Sequence, residues 1–175
     1  LNTAESTLFG DVTLKYNPKD FTDFNNKVVF DVNMDKASVS SNELNFFYNE
    51  FGKNQRFFLK THAKGTLNNF VLHDLKLVDR NQSEIIGKVN FKNLFNKKGE
   101  FYMNGNFDRV TSNYDNLSAI LPRVLGKKLP QTLKKLGRVD LVGDVELTKT
   151  YINADVYLMS QLGELESKLS MTNIN

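Results

Sequence analysis

Arg138-Val139-Asp140-Leu141-Val142-Gly143-Asp144-Val145-Glu146-Leu147 is the stretch that decides the fold. Val139, Leu141, Gly143, Val145 and Leu147 alternate there with Arg138, Asp140, Asp144 and Glu146. Successive side chains of a strand point to opposite faces, so the run predicts a strand with one apolar and one polar face. Phe57, Leu59, Thr61, Ala63, Gly65 and Leu67 interleave with Lys60, His62, Lys64 and Thr66 by the same rule, and Ile152, Ala154, Val156 and Leu158 repeat it. Such runs fill most of the chain. The sequence predicts a mainly β protein, an antiparallel sheet with little protein available to cover its apolar face.

Working outward, Val12, Leu14 and Tyr16 mark a strand, and Val28, Phe30, Val32 and Met34 a second. A less regular aromatic stretch follows at Leu44 to Tyr48, then the strand from Arg56 to Leu67, with a turn expected at Asn68-Asn69. Phe70 and Leu72 are out of phase with Leu75 and Leu77 by one residue. That offset is what a β-bulge across His73-Asp74 produces, a simple strand break being the alternative. After a turn at Asp79 to Gln82, Ile85, Gly87, Val89 and Phe91 resume the pattern. Asn96-Lys97-Lys98-Gly99 reads as a hairpin loop in which glycine supplies positive φ, and Phe101, Met103, Gly105 and Phe107 return. With Val139 to Leu147, Ile152 to Leu158 and Leu165 to Met171, the count is roughly ten strands joined by short turns, an antiparallel meander.

Ser112 to Leu136 breaks the pattern. Leu117, Ile120, Leu121, Val124 and Leu125 recur at the spacing of an apolar helix stripe. Asp115 lies near its start and Arg123, Lys127 and Lys128 near its end, as the helix dipole favours. Pro122 predicts a kink, Gly126 an end, and Pro130 the opening of a second short helix carrying Leu133 and Leu136. The expected organisation is one structural unit: an antiparallel β segment over 1–111, an amphipathic helical insert over 112–137, and continuing strands of the same sheet over 138–175.

Composition narrows the function. The 14 Phe and 6 Tyr, with no Trp, sit mostly in alternating runs, where aromatics favour strand. A net charge of +3, with acidic and basic residues interspersed, is a mixed solvated surface and not a nucleic-acid footprint. The absence of cysteine excludes disulfides and thiolate catalysis. No apolar run is long enough for a transmembrane helix. The start at Leu1, without a leader, is what a piece of a longer protein would show.

Catalytic constellations are lacking. His62 and His73 occupy polar-parity positions of strands, where solvent exposure is expected. Asp31, Asn33 and Asp35 alternate, but without the glycine and terminal glutamate of an EF-hand loop they read as a strand's wet face. Lys127-Lys128 and Lys134-Lys135 suit either anionic headgroups or an ordinary solvated helix face. No enzyme, cofactor or metal is expected. Gly65, Gly87, Gly105 and Gly143 fall in apolar-face register, which predicts a sheet that curls, or else isolated bulges.

The stretch Gly65-Thr66-Leu67-Asn68-Asn69-Phe70-Val71-Leu72-His73-Asp74-Leu75-Lys76-Leu77, followed by Gly87-Lys88-Val89, resembles the recurring unit of the AsmA-like superfamily. Leu121-Pro122 to Leu129-Pro130, then Leu133 to Gly143, resembles a helix-to-strand passage of its TamB-like (translocation and assembly module) members. The likeness spans about residues 56 to 171, continuing through Ile152 to Leu158 and Leu162-Gly163-Glu164-Leu165; the first 55 residues fit only by alternation.

The resemblance implies an elongated, curled sheet, an open half-pipe with an apolar inner face that conducts phospholipid across the periplasm towards the outer membrane. It implies a periplasmic segment of a longer chain anchored in the inner membrane by an N-terminal helix. It also implies a part in outer-membrane protein assembly and secretion with an Omp85-family barrel, through parts not present here. The expected partners are phospholipid acyl chains and neighbouring segments of the same chain.

The expected lining is the apolar parity set: Phe57, Leu59, Leu67, Ile85, Val89, Phe91, Phe101, Met103, Phe107, Leu141, Val145, Ile152, Val156 and Leu158. The helix stripe of Leu117, Ile120, Leu121, Val124 and Leu125 would plug or cap the groove, or rest on a membrane surface. The rival readings are a self-closed β scaffold acting through its edges or its helix, a lipocalin-type barrel around one small ligand, and, last, a hydrolase.

Overall fold

The computed structural model describes residues 2–47, 51–96, 99–122 and 125–172. Its nine described strands form one antiparallel sheet in chain order: β1 (Thr7–Lys15), β2 (Val29–Ser40), β3 (Arg56–Gly65), β4 (Asn69–Asp79), β5 (Glu84–Lys92), β6 (Tyr102–Asn113), β7 (Arg138–Thr148), β8 (Tyr151–Ser160) and β9 (Gly163–Thr172). Each strand pairs only with its chain neighbours. Among the described residues the sheet is therefore open, with β1 and β9 each paired on one side only.

Strand positions follow the alternation closely, with instructive corrections. The aromatic stretch from Leu44 is not a strand: Ser41–Phe47 is a helix, α2, following the short α1 (Phe24–Lys27), and Tyr48 lies outside the described residues. The connection after α2 is held locally, because the Asn45 side chain bonds both the N–H and the carbonyl of Phe51. The β3–β4 turn sits one residue earlier than Asn68-Asn69. Thr66 and Asn69 exchange backbone hydrogen bonds around Leu67 and Asn68, and Asn69 already belongs to β4. In the β5–β6 loop Asn93 takes a positive φ of 56°; Lys97 and Lys98 of the expected Asn96–Gly99 loop lie outside the described residues.

The bulge at His73-Asp74 is present. Leu72 pairs with Val89 and Leu75 with Gly87, and Asp74 takes φ of 49°. It is one of three. Asp35-Lys36 in β2 and Asp108-Arg109 in β6 insert an extra residue in the same way. All three lie on one row across the sheet, on even-numbered strands, and small residues take the matching positions of the odd ones: Gly10, Thr61, Gly87 and Gly143.

Gly87 shows why. Its φ is +154°, and a Cβ there would lie 2.2 Å from the Asn106 carbonyl oxygen. The backbone of the bulged strand passes where a side chain would be. Bulges sharpen the local bend of a strand, so a row of them curls the sheet along its length. Gly105 is different: it has no positive φ, and the Phe107 ring occupies its Cβ space.

The insert between β6 and β7 is a broken helix, as Pro122 requires. It comprises α3 (Tyr114–Ile120), α4 (Leu125–Lys128) and a 3₁₀ turn at Gln131–Leu136 capped by Pro130. Asn113 caps α3 by accepting from the Asn116 N–H at 2.8 Å. Gly126 lies inside α4 and does not end the helix. Asp115 is bound by Lys134, at 2.9 Å. Arg123 and Val124 lie outside the described residues.

Replacing Gly87 with Ala is expected to cost about 2–4 kcal/mol, because side chain and bulge backbone cannot share the space. Urea unfolding checks this against Lys88→Ala on the exposed face, which is expected to change stability by less than about 0.5 kcal/mol.

Candidate functional site

The strand register gathers the apolar side chains on one face. Across the end of the sheet marked by the β3–β4 turn, one row reads Phe30, Gly65, Phe70, Phe91, Met103, Leu147, Ile152 and Met171. The next row reads Val32, Ala63, Leu72, Val89, Gly105, Val145, Ala154 and Leu169. Beyond the bulges, Leu59, Leu77, Ile85, Val110, Leu141, Leu158 and Leu165 form a third.

Twelve of the expected lining residues lie on this face. Among them Phe57, Val89, Ile152 and Val156 are buried, while Leu59, Ile85, Phe91, Met103, Phe107, Leu141, Val145 and Leu158 are half-buried. Phe101 precedes β6, yet it is buried in a cluster with Leu147 and Ile152. Leu67 is the exception, because it sits in the β3–β4 turn and outside any strand. The face also holds Phe70, Leu72, Leu75 and Leu77 of β4, which the lining set omitted. The His73-Asp74 bulge returns the last two to the same side.

Aromatic rings bridge the small residues. Phe30 and Phe70 flank Gly65 in the sheet, with ring centroids 5.8 Å apart, and Phe70 continues to Phe91 at 5.1 Å. All nine described strands belong to this one sheet, so no second sheet of described residues backs the face.

What does lie against it is the insert. Leu125 packs on the Phe101–Leu147–Ile152 cluster. At the opposite end of the face the row turns polar: Asp79, Ser83 and Ser112, all buried. Ser83 and Ser112 are linked through their hydroxyls at 2.9 Å, and the Asn116 amide of α3 donates to Ser83 Oγ and to the Asn81 carbonyl. The Gly52 N–H donates to the Ile120 carbonyl, joining the β2–β3 connection to α3 across the width of β4 and β5. Of the helix stripe, Ile120 is buried, and Leu117, Leu121 and Leu125 are half-buried.

The other face is mixed: charge pairs lace it, and Phe58, Val78, Ile86, Val142, Tyr157 and Met159 also lie there. Asp31 lies between His62 Nε2 at 2.6 Å and Lys64 at 3.4 Å, and Glu84 between Lys76 and Arg109. Both histidines are on this side, their rings 5.7 Å apart, and Asn33 and Asp35 are exposed. The hydrogen bond to His62 holds the Asp31 carboxyl below its usual range, with Lys64 adding to it and desolvation opposing it. Tyr102, then Asn153 and Tyr151, lower Glu146 in the same manner by hydrogen bonding.

Among the described residues no three His, Asp or Glu side chains group as metal ligands, and no helix is long and apolar enough to cross a membrane. A shallow concavity of about 370 Å³ is bordered mainly by polar-face residues, among them Asn104, Asp144, Glu146 and Lys168. Comparison with protein-family models, curated proteins and solved structures finds no match.

Because Asp31 is held low when folded, the stability it carries is present above the ordinary carboxylate pKa and lost as pH falls through the lowered one. Asp31→Asn is therefore expected to melt below the parent at pH of about 7, with the gap closing by about pH 2. Thermal melts across that range check the sign.

Proposed function

We propose that the apolar face is a trough for lipid acyl chains, and that the chain is a non-enzymatic segment of a protein moving phospholipid between membranes. The observation that carries this reading is the register. Eight successive strands place three continuous rows of mostly aliphatic and aromatic side chains on one side of a single open sheet, and most of the charged residues on the other. A soluble monomer rarely leaves a contiguous apolar patch beyond a few hundred Å² uncovered. Acyl chains cover such a face at about 0.8 kcal/mol per buried methylene, without directional contacts. That chemistry suits passage, since no position needs a specific partner. The periplasmic setting and the role in outer-membrane assembly rest on the AsmA-like resemblance of residues 56 to 171 alone.

In this reading the insert is a cap. α3 closes the end where the row becomes Asp79, Ser83 and Ser112, and Leu125 occupies part of the face that an acyl chain would otherwise cover.

Native mass spectrometry of the chain purified from a Gram-negative host tests the proposal. Phospholipid is expected to co-purify, to be released by organic solvent, and to be lost in Leu141→Asp and Val156→Asp with the circular dichroism unchanged. A clean apo mass from a folded monomer would mean that the sheet and its insert cover each other, which is the scaffold reading.

A further inference from the structure

α3 rests on the polar end of the face, and its seat is imperfectly made. Asp79, Ser83 and Ser112 in that row are 3%, 1% and 1% exposed, although no second sheet of described residues lies over them. One carboxylate oxygen of Asp79 accepts from the Ser83 N–H at 2.8 Å, and the other is enclosed without a hydrogen-bond partner. The hydroxyl of Ser118, on α3 itself, is enclosed without a partner as well. Only one further side-chain atom among the described residues shares that condition, Asn68 Oδ1 at the opposite end of the sheet. An enclosed polar atom of this kind has given up its hydration for nothing, and recovers it when water is admitted.

Few bonds hold α3 to the sheet. The Asn116 amide donates to Ser83 Oγ at 3.3 Å and to the Asn81 carbonyl at 3.2 Å, and the Gly52 N–H donates to the Ile120 carbonyl at 2.9 Å. Ile120 is the buried apolar residue of the helix. The Asp115–Lys134 ion pair joins α3 to the 3₁₀ turn of the insert and not to the sheet. At each end the chain leaves helical geometry at a single residue: Asn113 is extended, with φ −141° and ψ 169°, and Leu121 has φ −129° and ψ 68°. Residues at the ends of an element are where a hinge rotation is absorbed.

We propose that α3 is a lid, one that lifts from Asp79, Ser83 and Ser112 on hinges at Asn113 and Leu121 while the sheet beneath stays folded. Opening hydrates Asp79 Oδ2 and the Ser118 hydroxyl, which offsets the loss of the Asn116 bonds and the exposure of Ile120. Leu77, two residues before Asp79 on β4, and Val110, two before Ser112 on β6, then become accessible from that end. The lid is a property of the fold and stands whether or not the face carries lipid.

The absence of cysteine makes single-thiol labelling a direct test. Ser112→Cys places a thiol beneath α3, and Val28→Cys places one at the opposite end of the sheet, where Val28 is equally buried. With a water-soluble disulfide reagent, each rate taken relative to the same variant in urea, Ser112→Cys is expected to react at least about tenfold faster than Val28→Cys. Adding Ser118→Ala removes one unpartnered hydroxyl and is expected to slow the Ser112→Cys reaction about fivefold, whereas adding Asn116→Ala is expected to speed it by about as much. Ser83→Cys, in the same seat, serves if Ser112→Cys does not fold. Equal rates at the seat and at Val28→Cys would mean that only unfolding of the whole sheet exposes the seat, which overturns the proposal. So does a Ser118→Ala chain that labels no more slowly than its parent.

Discussion

An extra residue in one strand must be absorbed by the strands beside it, and the rest of this structure depends on how that is done. Bulges in β2, β4 and β6 fall on one row, and each pushes its backbone towards a neighbour. Gly10 and Gly87 leave the room that the backbones of β2 and β6 take, while Gly143 on the same row makes room for β8, at Asp155 and Val156, which has no bulge. Thr61 solves the same problem differently. It is buried, and its hydroxyl donates to the His73 carbonyl at 2.7 Å, tying down the bulge it faces. Large residues of the even strands, Met34, Leu75, Phe107 and Val156, alternate with these small ones along the row. Curvature and close packing on one face therefore have a common cause.

A curled single layer leaves its ends to be closed, and polar side chains close them. At the β3–β4 turn end, Asn68 links three connections. Its N–H bonds to Asn25, its side-chain amide to Asn26, and its carbonyl accepts from Leu94. At the other end Arg138 donates to the Gln82 carbonyl, and Asn116 reaches Asn81 and Ser83. These bonds join separate connections at the two ends of the sheet, and the one from Arg138 of β7 to the β4–β5 turn passes over β6. The insert then adds apolar cover through Leu125 and Ile120, which shortens the stretch of face left open.

Period-two alternation made the strands legible, and the one-residue phase slip between Leu72 and Leu75 made one bulge legible too. The other two bulges were not. Asp35-Lys36 and Asp108-Arg109 lie where the alternation was read as ending, so no apolar residue beyond them marked the slip until Ala37 and Val110 were placed by pairing. The helix at Ser41–Phe47 was hidden by its aromatic content, which favours strand, while the Asn45–Phe51 bonds that shape its exit are invisible in a local reading. Of the candidate surface, the lining set held nine positions of the three rows and left out Phe30 and Val32 of β2, Phe70, Leu72 and Leu77 of β4, and Leu147, Leu165 and Leu169, although the same alternation marks them.

Within each uninterrupted run the sequence by itself determined which side chains share a face, since that follows from the alternation of the backbone and needs no partner; beyond the bulges of β2 and β6 pairing decided it. It also determined that a broken amphipathic helix interrupts the sheet, through Pro122, Pro130 and the leucine spacing. Only the tertiary structure decided that the bulges line up across strands and that the insert lies against the apolar face. Each of these depends on which residues become neighbours after pairing. That register is set by packing and hydrogen bonds between segments far apart in the chain, and no local pattern encodes it.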